Sequence, residues 1–201
     1  LFGDTVIPID IANVSSSNET FGHRFLGEKI TLNEPKEYKE KLLAKYVICD
    51  YHERRDAIFN QLKHLEHDMG WKIPVDPDLL DEVTNLVEYP TVLYGKFDEK
   101  FLQLPKEVLI TTMKEHQRYF PVTASNHKLL PYFVTVKNGD HNNLEIIAKG
   151  NEKVLKARLQ DAVFFYEEDQ KLSIEMALNK LKAVLYHDEI GTYKEKLERI
   201  R

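Results

Sequence analysis

The sequence predicts an α+β fold in which a mixed or antiparallel sheet is packed by helices. Three observations lead there. The segments run β, then α, then a mixed βαββ group, then α, without the strict alternation of a doubly wound sheet. The helical stretches begin at aspartate or proline and stop at glycine or before proline. The strand candidates "TVLYGKF", "RYFPVTA" and "LLPYFVTVKN" are rich in β-branched and aromatic residues.

Taken in order, "LFGDTVIPIDI" reads as a strand, "SSSNE" as a loop and "TFGHRFLGEKITL" as a strand or hairpin between glycines. Pro35 is placed as a first-turn proline opening a helix over 35–48. Asp50 caps a second helix over 51–69, with Tyr51, Ile58, Leu62, Leu65 and Met69 at three-four spacing and Gly70 as its stop. Asp76 and Pro77 start a third that ends before Pro90. The strand 91–97 follows, then a helix from Pro105 to Gln117. Two strands flank the turn "SNHK". A helical stretch over 142–170 is expected to break near Gly150-Asn151, and helices alone are expected after it. A boundary falls at 168–172, dividing the chain into 1–170 and 171–201.

The chain has 201 residues, a formal net charge of −5 and one cysteine. That length can bury a core. The charge excludes wholesale nucleic-acid adhesion but not a local basic face. Cys49 can form no internal disulfide, which fits a reducing compartment, and its setting "KYVICDY" is that of a small buried hydrophobe. No apolar run approaches the roughly 20 residues that span a bilayer, so no membrane association is expected. A start without methionine and a last helix still in progress suggest an internal piece of a larger protein.

The eight glycines are scattered and form no phosphate-binding pattern. His64 and His67 with Asp68 have a spacing that metal sites use, but no further ligand run accompanies them. His187-Asp188 is an isolated pair. Ser15, Ser16 and Ser17 lack the glycines of a nucleophile elbow. No catalytic residue and no metal site is assigned. The basic features are stronger. Lys149, Lys153, Lys156 and Gln160 fall at spacings of four, three and four, one stripe of a helix, with Arg158 read as flanking it. Such ammonium groups can contact phosphates. In "TTMKEHQRYFPV", Lys114, His116, Gln117 and Arg118 crowd a helix end just before Tyr119 and Phe120. Cations there also favour the helix dipole, so the residues alone allow either RNA contact or helix-end stabilisation. Of Tyr119 and Phe120, one is expected to face the core and the other to be free to stack on a base. His23 and Arg24 in "GHRF" are a further basic candidate.

Several longer stretches carry a resemblance. "GHRFLGE", "LLDEVTNLVEYPTVLYGKFDEKFLQLP", "TMKEHQRYFPV", "KLLPYFVTVKN" and "GNEKVLKARLQDAVFFYEED" resemble, in the same order, the beta-subunit family of bacterial heterotetrameric glycyl-tRNA synthetase. The likeness covers essentially the whole chain. It implies an internal fragment of a longer subunit. Residues 1–170 would be similar to the B3/B4 domain of phenylalanyl-tRNA synthetase beta chains, and 171–201 would be the helical start of an HD-like domain. It implies a tRNA-facing and subunit-assembly module of glycine–tRNA ligase, cytoplasmic, with tRNA(Gly) and the alpha subunit as partners in an α2β2 tetramer. ATP and Mg would serve the alpha subunit, with no cofactor in this fragment. The fragment itself would be catalytically inactive. The alternatives are an aminoacyl-tRNA deacylase, as in the related phenylalanyl domain, and a structural scaffold.

Overall fold

The structure, a computed structural model, describes residues 1–200. It divides into two compact units, residues 1–158 and 159–201. Each is mixed or helical with small antiparallel sheets, in keeping with an α+β chain.

In the first unit, short hairpins come first. β1 (Asp10–Ile11) pairs with β2 (Val14–Ser15), and β3 (Glu19–Phe21) with β4 (Lys29–Thr31). The opening segment is therefore not one long strand. Its Ile7, Ile9 and Ile11 are exposed, so no buried face holds it extended. Pro35 begins a 3-10 turn, Pro35–Glu37, that leads into α1 (Tyr38–Leu43). The helix stops well before residue 48, because Val47 N–H returns to the Leu42 carbonyl and Tyr46 takes a positive φ of 61°. Ile30, Leu32 and Leu42 form a small core that Cys49, half-buried, packs against.

The caps act where the sequence places them. Asp50 accepts from the N–H groups of His52 (2.9 Å) and Glu53 (3.2 Å) to start α2 (Tyr51–Met69), and Gly70 closes it at φ 63°. Asp76 accepts from Asp78 (2.9 Å) and Leu79 (3.2 Å) to start α3 (Pro77–Leu86). Ile58 and Leu62 of α2 meet Leu79, Leu80 and Val83 of α3 in the main core, which also takes in Trp71 and Ile73.

That core lies on one face of a three-stranded antiparallel sheet. Its strands are β5 (Pro90–Lys96), β6 (Phe120–Thr123) and β7 (Leu129–Asn138), in the order β5-β7-β6. The register runs from Pro90 opposite Asn138 to Lys96 opposite Tyr132. Phe120, Val122 and Val134 point into the core. A 3-10 turn (Glu99–Gln103) and α4 (Lys106–Gln117) connect β5 to β6.

Helix α5 (Leu144–Lys171) runs without interruption. The break expected at Gly150-Asn151 does not occur. Gly150 faces open space and the Asn151 amide bonds the Ile147 carbonyl one turn back, so neither residue disturbs the helix. Residues 144–158 are pinned to the sheet at three points. Tyr119 Oη donates to Asn151 Oδ1 (2.8 Å), Lys96 N–H donates to Glu152 Oε1 (2.9 Å), and Gly95 leaves no room for a side chain. A Cβ on Gly95 would lie 2.5 Å from the Phe133 ring and 3.1 Å from Glu152 Cγ. Glycine inside a strand marks such a close approach.

In the second unit, Ser173 caps α6 (Ile174–Lys180), accepting from Met176 N–H at 3.2 Å. A 3-10 turn (Leu181–Ala183) follows, then a hairpin of β8 (Leu185–His187) and β9 (Gly191–Thr192), then α7 (Tyr193–Ile200). The expectation of helices alone fails at this hairpin. Its β-branched and aromatic run "VLYH" pairs across a turn instead of continuing the helix. Among the described residues of this unit only Leu159 is buried.

Candidate nucleic-acid interface

The three anchors of α5 decide what its free side presents. Leu155 is fully buried, while Lys149, Lys153 and Lys156 are exposed. At about 100° per residue these lysines fall within about 40–60° of arc, with exposed Gln160 in the same line. Arg158 is exposed too, but it lies about 180° round the helix from Lys149. It does not flank the stripe and shares no contact face with it. None of these four cations forms an ion pair among the described residues. Lys156 is near enough to Asp98 to act on it as a distant charge. The Asp98 carboxyl is held below its usual range chiefly by the Lys100 N–H.

The segment 111–122 is arranged differently. Lys114 pairs with Asp76 and Arg118 with Glu82, so both cations reach from α4 to the first turns of α3. Arg118 ends the helix in the left-handed region at φ 59°, and Tyr119 N–H returns to the Met113 carbonyl at 3.0 Å. His116 is exposed and Gln117 half-buried. Tyr119 and Phe120 are both buried. Neither is free to stack on a base, because Tyr119 lies flat on Phe133 (centroids 4.5 Å apart) and Phe120 faces the main core. Burial pushes the Tyr119 phenol up to about 12. The sequence allows RNA contact or helix-end stabilisation; the partners that Lys114 and Arg118 meet are the carboxylates of Asp76 and Glu82, which tie α4 to α3.

The Lys114 ammonium, and then the Leu79 N–H, hold the Asp76 carboxyl below its ordinary value of 3.8. A depressed carboxyl stabilises the fold above the unfolded value and loses that contribution as pH falls through the folded one. Asp76→Ala should therefore lower stability by about 1–2 kcal/mol at neutral pH, the usual cost of a lost helix cap. In urea titrations the gap from the parent should close as pH drops below the ordinary aspartate range. A gap independent of pH would rule out the ionised cap.

His23 is 3% exposed, whereas Arg24 is exposed with its guanidinium 5.6 Å from the Phe25 ring centroid. A separate cleft of about 580 Å³ opens at the free edge of β5, between α2 and the start of α5. Gln61 partly closes that edge, donating to the Pro90 carbonyl (3.0 Å) and accepting from Val92 N–H (2.9 Å). Lys149, Lys96 and His64 line the cleft beside Asp68, Glu145 and Glu152, so its charge is mixed. The sequence reading missed Gly95, Asn151 and Glu152, which position the lysine row. A glycine within a strand pattern was the one available signal.

Over residues 1–201 the chain matches the family model described as glycyl-tRNA synthetase beta subunit. The chain belongs to that family. It is 58% identical over 201 residues to the glycine–tRNA ligase beta subunit of Halalkalibacterium halodurans, covering 100% of this chain and 29% of that protein. The same subunit of Listeria welshimeri is 54% identical, again over 100% of this chain and 29% of the relative. That of Bacillus subtilis is 52% identical over 200 residues, 100% of this chain and 30% of the relative. The chain thus spans about 29% of the length of the beta subunits it matches. Among the described residues of this family member, no helix is long and apolar enough to cross a membrane.

Proposed function

We propose that the chain serves as a tRNA-facing and assembly module of the glycine–tRNA ligase beta subunit and breaks no bonds itself. The observation that carries this is the row Lys149, Lys153 and Lys156. These are exposed ammonium groups, unpaired among the described residues, on a helix segment held to a sheet at three points. Lys114 and Arg118, by contrast, face carboxylates. A rigid row of free ammonium groups displaces counterions from a phosphate backbone at little further ordering cost.

In this reading tRNA(Gly) is the polyanion and the alpha subunit is the partner, in a cytoplasmic α2β2 enzyme whose ATP and Mg serve the alpha chain. Residues 1–170 act as a B3/B4-like domain and 171–201 as the start of an HD-like one. The end of α5 at Lys171 and the fresh cap at Ser173 support a functional division there. Lys149, Lys153 and Lys156 hold backbone phosphates. Arg24, His116 and Arg158 lie on other surfaces and serve as secondary contacts. RNA affinity of the chain, measured from low to moderate salt, should fall with a log–log slope of about −2 to −3, as three phosphate contacts require. A flat dependence would remove the RNA reading and leave a scaffold, the reading that the Lys114–Asp76 and Arg118–Glu82 ties favour for α4.

A further inference from the structure

A second, unrelated cavity lies in the first unit, about 620 Å³ in volume. His23, Arg24, Cys49, Arg54, Glu88 and Asn138 are among the side chains that line it. Its chemistry is dominated by donors. Phe25 N–H donates to His23 Nδ1 at 3.3 Å, so in the neutral ring the proton sits on Nε2. That Nε2 is buried and has no hydrogen-bond partner. Buried polar groups are nearly always paired, so a buried donor without an acceptor, on a residue that lines the cavity, is an exception that calls for one.

The neighbours supply positive charge. Arg54 spends Nε on the Thr84 carbonyl (2.9 Å) and Nη1 on the Ile48 carbonyl (2.6 Å), which fixes the guanidinium while leaving its charge unmatched by any carboxylate among the described residues. Arg24 is exposed at the rim and likewise unpaired among them. Asn138 accepts from Glu88 N–H (2.9 Å) and Tyr89 N–H (3.0 Å) through Oδ1, so its amide nitrogen remains a donor. Two guanidinium groups, one imidazole N–H and the Asn138 amide nitrogen stand against a single carboxylate, Glu88; the other lining amide, Asn85, spends its nitrogen on the Asp81 carbonyl (3.0 Å). The Gly139 backbone, at φ 133°, lies beside the His23 ring: a Cβ there would stand 3.8 Å from His23 Cε1, at ordinary contact distance.

We infer that this cavity binds a phosphate group, with Arg24 and Arg54 matching its charge and His23 Nε2–H donating to one oxygen. Planar guanidinium groups suit phosphate oxygens, and a buried N–H donor adds direction to their charge. The phosphate has two possible sources, a free phosphate or one carried by RNA, and only the second rests on the function proposed above.

The test uses the whole chain with 15N-labelled histidine. Inorganic phosphate is titrated against chloride at matched ionic strength, and the His23 Nε2–H signal is followed. The signal should move on phosphate and not on chloride. Arg24→Gln, a change at the exposed rim, should weaken phosphate binding about tenfold, the usual effect of removing one charge-assisted hydrogen bond. A signal that phosphate leaves unmoved, or an Arg24→Gln variant with parental affinity, overturns the inference. Given a response to phosphate, a short 5′-phosphorylated RNA and its dephosphorylated twin then assign the source. Competition by the first alone supports a phosphate carried by RNA. Competition by neither supports a free phosphate and leaves the lysine-row reading to its own salt test.

Discussion

Gly95→Ala should destabilise the chain by about 2–3 kcal/mol, the upper range for overpacking. The added carbon would stand 2.5 Å from the Phe133 ring, which is fully buried and stacked on Tyr119. The ring cannot yield without disturbing Tyr119, whose hydroxyl holds Asn151. Nor can the backbone retreat, since Lys96 N–H is held by Glu152 on the same helix. The denaturation midpoint in urea should therefore fall with little change in slope, and Tm by about 5–10 °C. Phe133→Leu placed in the Gly95→Ala background should cost much less than it does alone, because the two residues touch each other. Strict additivity of the two changes would mean that a side chain at position 95 does not meet the Phe133 ring across the β5–β7 pair. On the proposed reading the consequence reaches function, since a helix lifted from the sheet no longer holds its lysine row in a fixed place.

The second large effect concerns those lysines. Lys153→Glu with Lys156→Glu should weaken RNA binding by about a hundredfold at low salt, on the basis of about tenfold for each ammonium–phosphate pair removed. The log–log salt slope should shrink by about two units. Both side chains are exposed and neither forms an ion pair among the described residues, so the fold should be little affected. Exchanging a cation that already has a partner, as in Lys36→Glu beside Glu34, should leave RNA binding unchanged. In the full enzyme, on the reading proposed above, the double variant should raise the tRNA concentration needed for charging while leaving adenylate formation intact. A parental salt slope in the double variant would sink the lysine row as an RNA-binding surface.

The basic stretch 111–122 marks where local reasoning stops. The helix over 106–117 and its exit at Arg118 follow from proline, three-four spacing and the C-terminal cations. What Lys114 and Arg118 touch does not follow. Asp76 and Glu82 lie 38 and 36 residues away, and only the packing of α4 beside α3 brings the charges together. In the same way, alternation along a strand predicts one buried and one exposed ring at Tyr119-Phe120. Helix α5 covers the second face of the sheet, so both rings are inside.

By itself the sequence determined the features that act within a turn or two of the chain. The Asp50 and Asp76 caps, the Gly70 stop, the main strands and the spacing of the lysine row all rest on backbone donors and side-chain periodicity close at hand. It also carried the family, through long ordered motifs. The tertiary structure alone decided which surfaces remain free. It buried Tyr119, tied Lys114 and Arg118 to carboxylates and enclosed His23 beside Arg54. Those outcomes depend on meetings between residues distant in the chain, and no local pattern encodes which of two exposed-looking faces another element will cover.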